Sequence, residues 1–319
     1  MNLFIQGMRR SGTTILYDAL VEDPELRLFY EPLREEKVTV GGGSGARDTD
    51  AFAETRELRE EFQRDRCPQV PLEEFNWGGP RDPTLEVEPG LPEHCREWLR
   101  HLLGLAPAVA IKETRLYDQV ADLGGLDPGA ALAHVVRDPR AVTASIMLGR
   151  GRNREAKHFP TVDRFFEDAK KRRLWSSYDI AETLLERSDC PLISAPTSVD
   201  RVLLVWKHTF ESTYRDGREI FGDRYVLLRN EGLRADPAAA AGSLYGVLGR
   251  PVPEGVAAWA AANVRPPEEA YAARDRRWLD AFRRLEMEQQ VTDAGYAELL
   301  DEDRYETPSR LRGLSRLWR

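Results

Sequence analysis

Residues 2–21 constrain this chain more than any other stretch: Asn2-Leu-Phe-Ile-Gln6, then Gly7-Met-Arg-Arg-Ser-Gly-Thr-Thr14, then Ile15-Leu-Tyr-Asp-Ala-Leu-Val21. A short apolar run enters a glycine-bounded turn, and the turn enters a helix with Ile15, Leu16, Ala19 and Leu20 on one face. Strand, glycine turn and helix N-terminus make an anion site, because the turn and the first helical residues present backbone N–H groups to a phosphate-like ligand. The spacing Gly7-x-x-x-x-Gly12 also matches the loop of nucleotide triphosphatases. Thr13, however, stands where their lysine follows the second glycine, and the positive charge comes earlier, as Arg9 and Arg10. Guanidinium forks suit tetrahedral oxyanions and need no metal. No strand ends in a convincing magnesium aspartate, since Asp138 is bracketed by Arg137 and Pro139, so no metal is expected.

The rest of the chain alternates strands with helices. "LRLFYEPL" (26–33) predicts a second strand stopped by Pro32, and "AVAIK" (108–112) a third. "ALAHVVRDP" (131–139) predicts a fourth, leading into a helix over 140–148. An amphipathic helix over 205–222 precedes a fifth strand in "DRYVLLRNEGL" (223–233). Residues 41–50 read as a flexible glycine-rich loop, 51–100 as charged helix and a Pro/Gly/Trp-rich passage without a clear strand, and 150–205 as mainly charged helix with a loop around 190–198. This order implies an α/β fold: a mostly parallel sheet of about five strands flanked by helices, P-loop-like in type. One domain over 1–319 is expected, its inserts at roughly 34–107 and 150–205 capping the active site and forming its acceptor side. Arg137 ends a buried strand and so falls at the ligand edge of such a sheet; Ser145 lies about two turns into the next helix.

Charged residues at 31% and apolar residues at 41% describe an ordinary globular chain, and the net charge of −8 argues against general nucleic-acid or anionic-membrane binding. Only six of the 46 basic residues are lysine, so arginine number alone says little about function. Cys67, Cys95 and Cys190 are far apart and show no metal-ligand spacing, which supports neither a disulfide framework nor a zinc site. No stretch approaches the ~20 apolar residues of a membrane helix, and the N-terminus runs straight into a strand. A soluble, reduced, cytoplasmic protein is expected.

Taken together, these stretches resemble the sulfotransferases that use 3′-phosphoadenosine 5′-phosphosulfate (PAPS) as co-substrate and release adenosine 3′,5′-bisphosphate (PAP). In that family "RSGTT" is the 5′-phosphosulfate loop, matched by Arg10 to Thr14, and a "VRDPRAV…S" segment binds the 3′-phosphate, matched by Val136 to Val142 with Ser145. "RYVLLRNEGLRADP" (224–237) looks like a later strand and turn of the family, with Asn230 and Glu231 in place of its usual acidic pair. "RDRRWLDAF" and "DAGY" (293–296) look like its C-terminal helix and ending. The resemblance implies donor contacts from Arg9, Arg10, Ser11, Gly12, Thr13, Thr14, Arg137 and Ser145, with Arg276 and Arg277 beside Trp278 near the 3′-phosphate. It places Arg10 beside the bridging oxygen, where negative charge grows in sulfuryl transfer.

An alcohol acceptor needs a general base. Cytosolic relatives carry a "K-T-H" run whose histidine is the base; here "KET" (112–114) keeps Lys112 but puts Thr114 in the histidine's place. Carbohydrate-type relatives use a glutamate in an "EPL" turn, which "FYEPL" (29–33) repeats. Glu31 is therefore the first candidate base, Glu113 the second, and Asp118 and His158 more remote ones. Lys112 would steady the transferring group, while Arg115 is structural or substrate-binding. The expected partner is a small-molecule hydroxyl acceptor, a sugar or a glycosylated or specialised metabolite of a bacterium, with Trp77, Phe159, Phe165 and Phe166 in the inserts that would line its pocket. The competing classes are a P-loop kinase or nucleotide hydrolase using Mg-ATP, and a member that binds nucleotide without turnover.

Overall fold

The computed structural model describes residues 1–34, 46–79, 82–149, 159–172, 174–187, 193–267 and 269–306, with the side chains of 46–52 left out. The chain divides into two compact units, Met1–Val136 with Ser212–Pro266, and Arg137–Glu211 with the chain from Pro267 onward.

The first unit holds a five-stranded, all-parallel sheet of β1 (Leu3–Gln6), β2 (Arg27–Tyr30), β3 (Val109–Lys112), β4 (Ala131–Val136) and β5 (Tyr225–Arg229), in the order β2-β3-β1-β4-β5. Every residue of β1, β3 and β4 is buried, as expected for parallel strands covered on both faces. Alternate residues serve two cores. Leu3, Ile5, Ala110 and Ala133 meet Leu16 and Leu20 of α1 (Thr13–Leu20), together with Leu244 and Tyr245. Phe4, Ile111 and Leu132 share the opposite core with Trp98, Leu99 and Leu102 of the helix Glu93–Leu103. Small alanines on the first face let α1 approach the sheet closely, while the second face is filled by large rings.

The strand order reverses between β1 and β4, and in open α/β sheets ligands bind at the carboxyl ends of strands beside such a reversal. The glycine loop leaves β1 at that point.

Three expectations shift at element ends. The second strand stops at Tyr30, before Pro32, because Glu31 adopts a left-handed φ of 45°. The fifth strand ends at Arg229, and Asn230–Ala235 turn into a helix rather than extending it. The helix expected over 205–222 begins earlier, at Ser198.

The second unit is helical in its described residues. The helix Pro139–Leu148 starts after Asp138, whose carboxylate accepts Arg140 N–H at 2.8 Å and pairs with the Arg140 guanidinium at 2.8 Å. In the described part of the 150–205 stretch, expected to be mainly charged helix, the helices are short, Val162–Glu167 and Ser177–Leu185, before the long helix that begins at Ser198. Among the described residues no helix is long and apolar enough to cross a membrane.

Candidate active site

The loop from Gly7 to Gly12 is shaped by close approach. A β-carbon on Gly7 would stand 2.3 Å from the carbonyl oxygen of Val135, so only glycine lets the loop pass this near β4. Ser11 N–H closes the turn onto Met8 O at 3.0 Å. Arg10 (φ 74°) and Gly12 (φ 102°) both adopt left-handed backbone, and a β-carbon on Gly12 would lie 1.9 Å from Asn230 Nδ2. Gly12 is the N-cap of α1, yet no side chain caps this helix and its first turn holds no acid. Helix N-termini leave backbone N–H groups without intrahelical partners and carry partial positive charge. The Ser11 hydroxyl, buried beside them, has no hydrogen-bond partner. Thr14 Oγ1 pairs with Tyr30 Oη at 3.1 Å, and the Arg9 guanidinium is committed to Glu86.

The ends of β2 and β3 build the second half of this region. Glu31 N–H donates to Lys112 O at 2.7 Å, Glu113 Oε1 accepts Leu33 N–H at 3.0 Å, and Trp98 Nε1–H donates to Pro32 O at 3.2 Å. The Glu31-Pro-Leu turn is thus pinned at each residue, which holds Glu31 in a left-handed conformation costing about 1–3 kcal/mol. Its Oε1 accepts from Lys112 Nζ and from Thr114 Oγ1 (3.1 Å), while Oε2 faces Arg34 Nη1 at 3.3 Å and Arg115 Nη2 at 3.7 Å. Burial alone would raise the Glu31 pKa, but the charges of Lys112, Arg115 and Arg34 hold it far below the usual carboxylate range. Burial, and then the charge of Glu31, push Glu113 the other way, up to about 7. The Glu113 Oε2 atom is buried and unpartnered. Two neighbouring carboxyls are therefore driven apart in acidity.

In the second unit Arg137 and Ser145 are both half-buried, Arg137 accepting Trp206 Nε1–H on its carbonyl at 3.0 Å. Arg277 places its fork on the fully buried Asp275, at 2.9 and 2.7 Å, and reaches Asp163 at 2.9 Å. Arg276 pairs with Glu302 at 3.3 Å. Phe165 packs against Phe159, Phe166, Tyr271 and Trp278, and Trp77 is buried in the first unit, so these aromatics are core rather than an exposed lining. Cys67 and Cys95 are buried free thiols. Among the described residues no three His, Cys, Asp or Glu gather as a metal site. His158, Cys190 and residues 41–45 lie outside the described residues.

Tyr30, Glu86 and Thr114 join this region without having been singled out for it. Tyr30 receives Lys112 Nζ 3.9 Å above its ring, and strand alternation beside Lys112 could have found it. Thr114 does more than replace a histidine, since it donates to the candidate base. Glu86 sits in a Pro-rich passage whose sequence carries no periodic signal.

The model of the sulfotransferase family matches residues 2–187, more than half of the chain. Among solved structures, sulfotransferase STF9 from Mycobacterium avium is similar at 16% identity, covering 96% of this chain and 77% of that one, with a TM-score of 0.48. The sulfotransferase domain of the Synechococcus PCC 7002 olefin synthase is similar at 16% identity, covering 97% and 96%, with a TM-score of 0.43. No curated protein matches in sequence. With more than half its length matched from the first strand onward, the chain belongs to the sulfotransferase family.

Proposed function

We propose that this enzyme moves a sulfuryl group from PAPS to a hydroxyl acceptor, a sugar or a glycosylated or specialised metabolite, with a carboxylate base and no metal. The observation that carries the reading is the lysine-free loop, whose uncapped helix N-terminus lies beside a buried, unpartnered Ser11 hydroxyl. These donors, with two glycines that exclude side chains, fit a 5′-phosphosulfate. When bound, PAPS supplies a sulfuryl group whose leaving group is a phosphate. The amides of Thr13 and Thr14 and the Arg10 guanidinium stabilise negative charge on the leaving side, and Lys112 steadies the transferring group. Glu31 takes the acceptor proton at Oε2, whose hydrogen bond comes from the partly exposed Arg34, whereas Oε1 is held by the buried Lys112 and Thr114. Arg137 and Ser145 are assigned to the 3′-phosphate, whereas Arg276 and Arg277 would have to exchange Glu302 and Asp275 for it. A cytoplasmic, bacterial setting belongs to the same reading, on composition.

A Mg-ATP enzyme would need a carboxylate at a strand end for the metal. Asp138, after β4, caps a helix and pairs with Arg140; Glu31, after β2, is paired with Lys112; and Glu113, after β3, holds Leu33 N–H. The test is thermal stabilisation by PAP without metal, against Mg-ATP, on wild type and Arg137→Ala. A ligand at a hundred times its Kd stabilises by about 2.7 kcal/mol, a shift of a few degrees. A PAP shift abolished in the variant supports the donor site. A shift with Mg-ATP alone sinks it.

A further inference from the structure

We propose that Glu86 is a positioning residue that couples the donor loop to the segment flanking Glu31, a role that rests on the sulfotransferase reading above. Glu86 is fully buried in the short 3-10 turn Pro83–Val87. Both its oxygens receive the Arg9 fork, Nη1 on Oε2 at 2.7 Å and Nη2 on Oε1. Oε1 also accepts Gly79 N–H at 2.7 Å. The preceding Gly78 has φ 78°, and a β-carbon there would stand 2.5 Å from Glu86 Cγ, so the backbone is moulded around this carboxylate.

The contacts continue inside the first unit. Trp77, two residues before Gly79, donates its N–H to Leu33 O at 2.8 Å and accepts Arg115 Nη1–H on its carbonyl at 3.2 Å. Arg115 Nη2 in turn lies 3.7 Å from Glu31 Oε2. Hydrogen bonds and ion pairs on either side of the Trp77–Gly79 backbone thus join Arg9, the neighbour of Arg10, through that backbone to the turn that carries Glu31. Charge-assisted, bidentate bonds away from water are the stiffest such connections. Arg9 belongs to this joint rather than to a ligand, and an anion that orders the loop orders Trp77–Gly79 and Glu31 with it.

Hydrogen exchange by mass spectrometry, with PAP as the probe, tests this without an acceptor. In wild type, saturating PAP is expected to slow exchange at least tenfold both in 7–14 and in 72–79 with 31–34. The variant Arg9→Met/Glu86→Leu replaces a buried ion pair by apolar side chains, a change proteins often tolerate. It should fold with a melting temperature lowered by the loss of the acceptor for Gly79 N–H, bind PAP at least tenfold more weakly, and at saturation show slowing in 7–14 alone. If it does not fold, Glu86→Gln, which keeps an acceptor for Gly79, is read in the same way. Equal slowing of 72–79 in variant and wild type would overturn the proposal, as would wild-type slowing confined to 7–14. A wild type that does not bind PAP overturns the donor reading itself, an outcome distinct from the other two.

Discussion

Lys112 and Glu31 form an ion pair enclosed by the first unit, their side chains 1% and 8% exposed, with the ammonium 3.9 Å above the ring of Tyr30. Burial would lower the Lys112 pKa, but Glu31 and then Tyr30 keep it raised, so both groups stay charged at neutral pH. Removing one partner strands a buried charge. Lys112→Met is expected to cost about 3–5 kcal/mol in denaturant unfolding. A loss below about 1 kcal/mol would mean that the pair is open to water in solution.

Glu31→Gln leaves the buried Lys112 ammonium without its carboxylate and so lowers the melting temperature. Transfer and PAP binding can still be read separately where the variant is folded. The amide keeps the shape of the turn but cannot take a proton, so sulfuryl transfer should fall roughly 10²–10⁴-fold. PAP should still stabilise the variant, because no loop residue has changed. Retained transfer would move the base to another residue.

Gly12 cannot accept a side chain. Its φ of 102° and the Asn230 amide 1.9 Å from any β-carbon make Gly12→Ala destabilising by about 1–3 kcal/mol, with at least a tenfold loss of PAP affinity by calorimetry. Gly242 is the internal control. It lies exposed within the helix Pro237–Val247 with open space around its Cα, so Gly242→Ala should stabilise by about 0.5–1 kcal/mol and leave PAP binding alone. Equal behaviour of the two variants would refute the close packing of Asn230 on the loop.

Glu113 gives the stability a pH signature. Its pKa rises from 4.5 to about 7 on folding, so the folded state binds the extra proton between those values. That contribution is complete below about pH 4.5 and is lost as the pH rises through 7. Glu113→Gln keeps the acceptor for Leu33 N–H and removes the titration. Its stability relative to wild type should therefore climb between pH 4.5 and 7, by on the order of 3 kcal/mol at most. A flat difference across that range would show that Glu113 is ionised in the fold.

The sheet was legible because its information is local. Leu3–Gln6, Val109–Lys112 and Ala131–Val136 are apolar runs bounded by turn residues, and parallel strands buried on both faces must read that way. The loop was legible for the same reason, since Gly7, Gly12 and the helix that follows are neighbours in sequence. The end of the second strand was not: Glu31 leaves the strand conformation under contacts from residues remote in the chain, among them Lys112, Glu113 and Trp98 on its turn.

By itself, the sequence determined an α/β chain with an arginine-bearing, lysine-free anion loop, and it named Glu31, Lys112 and Glu113 as candidate chemistry. Only the tertiary structure decided what surrounds those groups and which way their acidity moves. It enclosed Glu31 among Lys112, Thr114, Arg34 and Arg115, left one Glu113 oxygen buried without a donor, and turned Arg9 onto Glu86. The acidity of a carboxyl depends on the charges and the dryness around it in space. Those surroundings come from segments up to 84 positions away from Glu31, a separation across which no sequence pattern reports contact.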